Sequence, residues 1–247
     1  MRSRLRGRSR HECAANREPF SSITSPTDFE LLRPDLRAVQ LNHAQVLFDL
    51  GGTIENIYFP ESGIISLVVP INEGDAVEAG MIGRDGVVGA SSGLDGSEAL
   101  NRAIVQVAGS GVRIDPRAAR VAIRASESLR ANFYRSDQLM LAQAQQSAVC
   151  NAKHQLEERL CRWLLRTHDL TGDDDMPLTQ EFLGQMLGVR RTSVSLAASQ
   201  LQSAGIITYK RGHIRMLDRE QMLECACECY AAIKEQARRL LGQKPNV

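Results

Sequence analysis

The stretch LTQEFLGQMLGVRRTSVSLAASQLQSAGIITYKRGHIRMLD, residues 178–218, constrains the chain more than any other segment. Leu183, Met186 and Leu187 give a short helix one apolar face, and Gly188 stops it. A second helix starts near Arg190 and turns Val194, Ala197, Ala198 and Leu201 inward, with Gly205 as its C-terminal cap. Two short helices that cross steeply need a small residue where their backbones approach. They also need a turn residue that tolerates positive φ and an apolar plug from the second helix. Gly184, Gly188 and Val194 fill those roles. The run IIT-YKRGH-IRML then reads as a two-stranded wing with a basic tip. An αα-hairpin with a solvated charged face would explain the helices but leave the wing without a reason.

The start of the second helix is expected to be exposed, and it carries Arg190, Arg191, Thr192, Ser193 and Ser195. Arginine can grip guanine O6 and N7 with two hydrogen bonds in the major groove. Hydroxyls and a helix N-terminus hold phosphate. Lys210, Arg211 and His213 at the wing tip are placed to meet a sugar-phosphate backbone, and Thr179 ahead of the first helix completes the candidate DNA-binding set. The formal net charge of +1 hides an asymmetry that supports this set. Residues 178–247 sum to +4, residues 26–170 to −4, and the Arg-rich residues 1–25 to +4. A basic C-terminal third on an acidic body fits a polyanion partner.

Ahead of this segment the pattern changes twice. Residues 26–45 read as a short helical entry in two pieces, divided by Pro34. Between 46 and 115, short apolar runs alternate with Gly, Pro, Asn and Asp: VLF, NIYF, IISLVV, AVEAGMI, VVGA, AIVQV and VRI. That punctuation predicts an antiparallel barrel or sandwich. Residues 116–135 look helical, and a long helix is expected from about 127 to 169, with no Gly or Pro inside. Leu139, Gln146, Lys153 and Leu160 recur by seven, as do Ala142, Val149, Leu156 and Trp163, the seam of a paired helix in a homodimer. The TGDDDMP run at 171–177 is the expected hinge.

Taken together, residues 26–242 resemble the CRP/FNR family of transcription regulators. The resemblance is tightest over LTQEFLGQMLGVRRTSVSLAASQL and looser over YFPESGIISLVV, GMIGRDGVVGASSGL and LNRAIVQV. The Arg-rich, aperiodic residues 1–25 are expected to form a flexible basic arm. The resemblance implies an α+β chain with a cyclic-nucleotide-binding-like, jelly-roll-like antiparallel β-roll at 26–126. A dimerisation helix at 127–170 and a winged helix-turn-helix at 171–247 would follow. It implies double-stranded DNA, a second copy of the chain and RNA polymerase as partners, and the scattered cysteines, unlike a secreted disulfide framework, make the cytoplasm the expected setting. By this resemblance Arg191 stands at the family's guanine-reading arginine. Thr192 and Leu196 replace two further base-reading residues of the cAMP receptor protein, a glutamate and an arginine. In the β-roll, Gly89, Ala90, Ser91 and Arg102 mark the position of an effector pocket. The Gly-Glu-Leu segment that holds ribose reads Gly-Ala-Ser here, and the arginine is shifted by one position, which turns a strand side chain to the opposite face. A cyclic nucleotide is therefore not the expected ligand, and no cofactor is expected.

Other motifs weigh less. Gly89-Ala90-Ser91-Ser92-Gly93 matches a nucleophile elbow, but no helix pattern starts after it, so no catalytic residue is assigned. The glycines at 80, 83, 86, 89, 93 and 96 complete no phosphate-binding fingerprint and suit hairpin turns. Cys225, Cys227 and Cys229 fall in a C-terminal helix, where three thiols cannot converge on one ion, so no metal centre is expected. A cluster of N-terminal cysteines, which some family members use, reduces here to Cys13. The opening MRSRLRGRSR has no apolar segment behind it, and no apolar run reaches the roughly 20 residues of a membrane span. The competing function is a small-molecule sensor module, cyclic-nucleotide-like, that acts through protein contacts.

Overall fold

Ser25 opens helix α1 (Pro26–Leu32): its hydroxyl accepts the Asp28 amide, and Pro26 occupies a first-turn position where no amide is needed. The computed structural model describes residues 24–71, 75–96 and 98–241; the basic arm, apart from its last two residues, and Cys13 lie outside them. A single 3-10 turn, Arg33–Asp35, takes up Pro34. The second helical piece expected there ends with that turn. Residues from 37 onward form a strand instead, β1 (Arg37–Leu41), which buries Leu41.

Strands β2 (Val46–Phe48), β3 (Ile57–Pro60), β4 (Ile64–Pro70) and β5 (Ala76–Ile82) follow. A five-residue helix α2 (Ala90–Leu94) precedes β6 (Arg102–Val107) and β7 (Gly109–Ile114), and α3 (Pro116–Ala125) closes the unit. The strands make two antiparallel sheets, ordered β1-β7-β3 and β2-β6-β4-β5. Tyr58, Ile65, Leu67, Ile82 and Val105 pack together between the sheets, whereas Ile57, Phe59 and Ile114 face Leu32 of α1, Ala90 of α2 and Ala119 and Ile123 of α3. The VVGA run is not a strand. Val88 makes one bridge to Tyr58, and Gly89, at φ +79, turns the chain into α2. The short helix thus occupies the GASSG motif itself and ends at Leu94, one residue past it. Two of the expected turn glycines serve packing instead. A Cβ on Gly80 would stand 2.7 Å from Met140 Cε, and one on Gly93 would stand 2.9 Å from the Phe133 ring.

Both contacts come from α4 (Glu127–Lys153), capped by the Ser126 hydroxyl, which accepts the Leu129 amide. The expected single helix to 169 is two helices. At His154 and Gln155 the backbone is extended (ψ 150° and 158°), and α5 (Leu156–Thr171) restarts where the Glu158 carboxylate accepts the Gln155 amide at 3.0 Å. The seven-residue seam is divided accordingly. Leu160 and Trp163 are buried in the chain's own core, whereas Tyr134, Leu141 and Val149 stand exposed on α4.

Strand β8 (Asp175–Pro177), helices α6 (Gln180–Leu187) and α7 (Arg191–Ser203), and strands β9 (Ile207–Lys210) and β10 (His213–Met216) build the C-terminal unit. The sheet order is β8-β10-β9, so the stretch expected to be a hinge contributes a paired strand with Met176 buried. Helices α8 (Arg219–Cys225) and α9 (Cys229–Leu240) end the described chain, separated by an extended Ala226 where one helix was expected. Asp169 of α5 ties them down: it accepts Tyr230 Oη at 2.7 Å and an Arg219 guanidinium nitrogen at 3.0 Å. One apolar core joins the two units, with Ile64, Val68 and Met81 of the roll against Leu160, Trp163, Leu183, Met186 and Val194. Among the described residues no helix is long and apolar enough to cross a membrane.

Candidate nucleic-acid interface

The helix-turn-helix is held by the residues that its sterics require. Leu183, Leu187, Val194 and Ala197 are at most 3% exposed. Gly184 sits where α6 and the start of α7 nearly touch; a Cβ there would be 2.9 Å from the Val189 carbonyl oxygen. Gly188 caps α6 at φ +65, and its amide turns back to the Gly184 and Gln185 carbonyls. The Thr179 hydroxyl caps the other end by accepting the Phe182 amide at 3.2 Å. Arg211 and Gly212, both at positive φ, make the two-residue turn of the wing, the backbone that a tight hairpin demands.

This scaffold leaves a charged edge in solvent. Arg190 and Arg191 at the start of α7, Thr192 beside them, and Lys210, Arg211 and His213 of the wing are all exposed. No side chain caps α7, so its first amides stay available at the positive end of the helix. Ser193 is half-buried. Two predicted contact residues are already engaged: the Ser195 hydroxyl donates to Gln180 Oε1 at 2.6 Å, and His213 Nδ1 lies 3.0 Å from Asp175 Oδ1. Leu196 is 63% exposed on the outer face of α7, an apolar side chain with no core to join. Beneath the tip, Arg190 and Arg191 line a cleft of about 460 Å³ with Ile71, Asp75, Ala76 and Val77 of the β4–β5 hairpin.

The expected effector positions are differently placed. Arg102 grips Asp49 with two hydrogen bonds, of 3.0 and 2.8 Å, and holds the Asp49 carboxyl below the usual carboxylate range. Ala90 is fully buried, and Gly89 is packed against Ile54. The amide of Ser91 is bound to Asp137, whose carboxyl burial pushes upward and that amide pulls back. A carboxylate thus already sits at the start of α2. A different constellation escaped the sequence reading. The side chains of Cys150, His154, Cys227 and Cys229 meet, and neither chain break that brings them together lies at a Gly or Pro that would have announced it.

The fold and this edge define a β-roll joined to a winged helix-turn-helix. Residues 158–225 match the Crp-like helix-turn-helix domain, and that match begins inside α5, just past the break. No curated protein matches the chain in sequence. Among solved structures it is similar to FixK2 from Bradyrhizobium japonicum, at 16% identity, with 78% of this chain and 98% of that one covered and a TM-score of 0.67. A putative Crp/Fnr-family transcriptional regulator from Eubacterium rectale matches at 14% identity, covering 84% and 97%, with a TM-score of 0.62. The c-di-GMP-responsive global regulator CLP from Xanthomonas campestris matches at 14%, covering 78% and 100%, with a TM-score of 0.62. The chain therefore carries a Crp-like helix-turn-helix domain within the fold of the CRP/FNR-family regulators.

Proposed function

We propose that this protein is a transcription regulator of the CRP/FNR type, which reads double-stranded DNA as a homodimer. The observation that carries the reading is the exposed, uncapped start of α7, with Arg190 and Arg191 beside a basic wing turn. Arg191 supplies a two-pronged donor for guanine. Leu196, exposed one turn further along, offers an apolar surface for a thymine methyl group, which accounts for leucine at that place. Lys210 and Arg211 hold the neighbouring backbone.

The second copy pairs through the exposed apolar residues of α4, Tyr134 and Leu141, which are spaced by seven, with Val149 alongside. Two-fold symmetry then calls for a palindromic operator with half-sites about one helical turn apart, roughly 34 Å. Regulation works by rotating α5 and the winged helix about the break at 154–155, which opens or closes the cleft beneath the two arginines. The β-roll acts as the sensor body. A bidentate Arg102–Asp49 pair and an Asp137-filled α2 start both argue against a cyclic nucleotide as its ligand.

Selection from random duplex DNA followed by footprinting tests the reading. Arg191→Ala is expected to lose about 1–3 kcal/mol on the best sequence, and binding should weaken steeply with salt. Equal affinity of the variant and the wild type removes the base-reading role. Binding that ignores salt favours a protein-contact module instead.

A further inference from the structure

Four ligand-bearing side chains converge at a place that DNA reading does not use. Cys150 and His154 lie one helical turn apart at the end of α4, Cys227 lies within the break between α8 and α9, and Cys229 opens α9. The Cys150 and Cys227 sulfurs are 3.5 Å apart, and the Cys229 sulfur is 3.5 Å from His154 Nδ1. All four ligand atoms lie within 4.8 Å of one another. The three cysteines are buried, at most 6% exposed, and all are free thiols.

We propose that Cys150, His154, Cys227 and Cys229 bind a single Zn2+ ion in a closed, tetrahedral, structural site. Zinc bonds of about 2.3 Å to sulfur and about 2.0 Å to nitrogen set tetrahedral edges of roughly 3.5–3.8 Å. Both close approaches match those edges. Three sulfurs and one imidazole fill the coordination sphere and leave no open position for a reacting water. An iron–sulfur cluster distributes its ligands around two or more bridged irons and needs a wider spread than this group has.

The surroundings fit a ligand set. His154 Nε2 meets Glu228 Oε1 at 3.1 Å, which places the ring proton there and leaves the Nδ1 lone pair toward the sulfurs. Gln146 Nε2 donates to the Cys229 sulfur at 2.9 Å. One helix interruption falls at the ligand His154 and the other at Ala226, next to the ligand Cys227, and without them the four side chains would not meet. Binding displaces three thiol protons and keeps His154 neutral, so the bound site carries a net charge of −1. In the fold, the ion fastens the start of α9 to the end of α4.

The test uses the full-length chain, reduced, stripped of metal and then titrated with Co2+ followed by Zn2+. One ion per chain should be retained by elemental analysis. The cobalt form should show thiolate charge-transfer absorption and the intense visible bands of tetrahedral coordination, both abolished by Zn2+. Cys150→Ser and Cys227→Ser should each lose the retained ion, while Cys161→Ser, which changes a buried thiol elsewhere on α5, keeps it. Glu228→Gln, which leaves all four ligands in place, should weaken Zn2+ binding by roughly 10–100-fold. Should a cysteine variant fail to fold, the wild-type cobalt spectrum decides alone. The proposal is overturned by a reduced wild type that holds no ion, by a pale octahedral cobalt spectrum, by ion retention in Cys150→Ser, or by stoichiometric iron with inorganic sulfide.

Discussion

Trp163 is where the two units share their core, and replacing it with phenylalanine isolates a single polar contact. The indole is 2% exposed, stands edge-on to Phe182 at 6.4 Å, and donates from Nε1 to Glu78 Oε1 at 3.0 Å. In Trp163→Phe the smaller ring leaves a cavity costing about 1 kcal/mol. The abandoned Glu78 oxygen adds about 1–3 kcal/mol. The expected loss is about 2–4 kcal/mol, or a Tm lower by about 4–16 °C for a chain of this size. Burial pushes the Glu78 carboxyl up, against the pull of Ser66, Arg162 and Trp163. The folded state therefore holds its proton to higher pH than the unfolded chain does. Stability falls as pH rises from the ordinary glutamate range through that raised value. Glu78→Gln, which cannot titrate, should flatten this slope. Because the chain has one tryptophan, unfolding is followed by circular dichroism rather than by emission. A Trp163→Phe protein within about 0.5 kcal/mol of wild type, or a pH slope untouched by Glu78→Gln, refutes the reasoning.

Two further substitutions separate folding from assembly. Gly188→Ala forces a side chain into the left-handed region at φ +65 and against Val77 methyls 3.2–3.3 Å away. It should lower stability in urea by about 1–2 kcal/mol, and an unchanged midpoint would show that the turn can relax. Leu141→Glu changes a side chain 59% exposed on α4, so the protomer should unfold as wild type does, while sedimentation equilibrium should report a monomer. A dimeric Leu141→Glu protein places the interface elsewhere.

The winged helix-turn-helix was legible because local sterics dictate nearly every position in it: Gly184 for a close crossing, Gly188 for a left-handed cap, Val194 and Ala197 for a shared interior. The strands from 46 to 114 were legible for a similar reason, since their turns announce themselves. What sequence could not show was set by distant packing. Helix α2 runs through Ser91, Ser92 and Gly93 because Ile57, Ile123 and Phe133 close over it, not because those residues favour a helix. The seam on α4 was read along 139, 142, 146 and 149, where the heptad arithmetic is sound. Strand β5 covers part of that face, however, since Gly80 lets Met140 and Gln143 approach, and the free stripe runs through Tyr134 and Leu141 instead. The break at 154–155 carried one faint signal, Gln155 followed three residues later by Glu158, a pattern that can restart a helix.

The break at 154–155 separates what the two units can do. A continuous helix would have made α5 part of the dimer and left the winged helix to swing on residues 171–177. Residues 175–177 of that run are a wing strand, and Leu160, Cys161 and Leu164 of α5 pack with the helix-turn-helix. In the proposed regulation the moving body therefore begins at α5, whose extended joint to α4 is His154–Gln155. Cys150 and His154 end α4 on one side of that joint, and Cys227 and Cys229 bring α9 back to it from the other. An ion held by all four fixes one strut across the joint while α5 remains the second, so the two units can rotate about the line joining them but cannot separate.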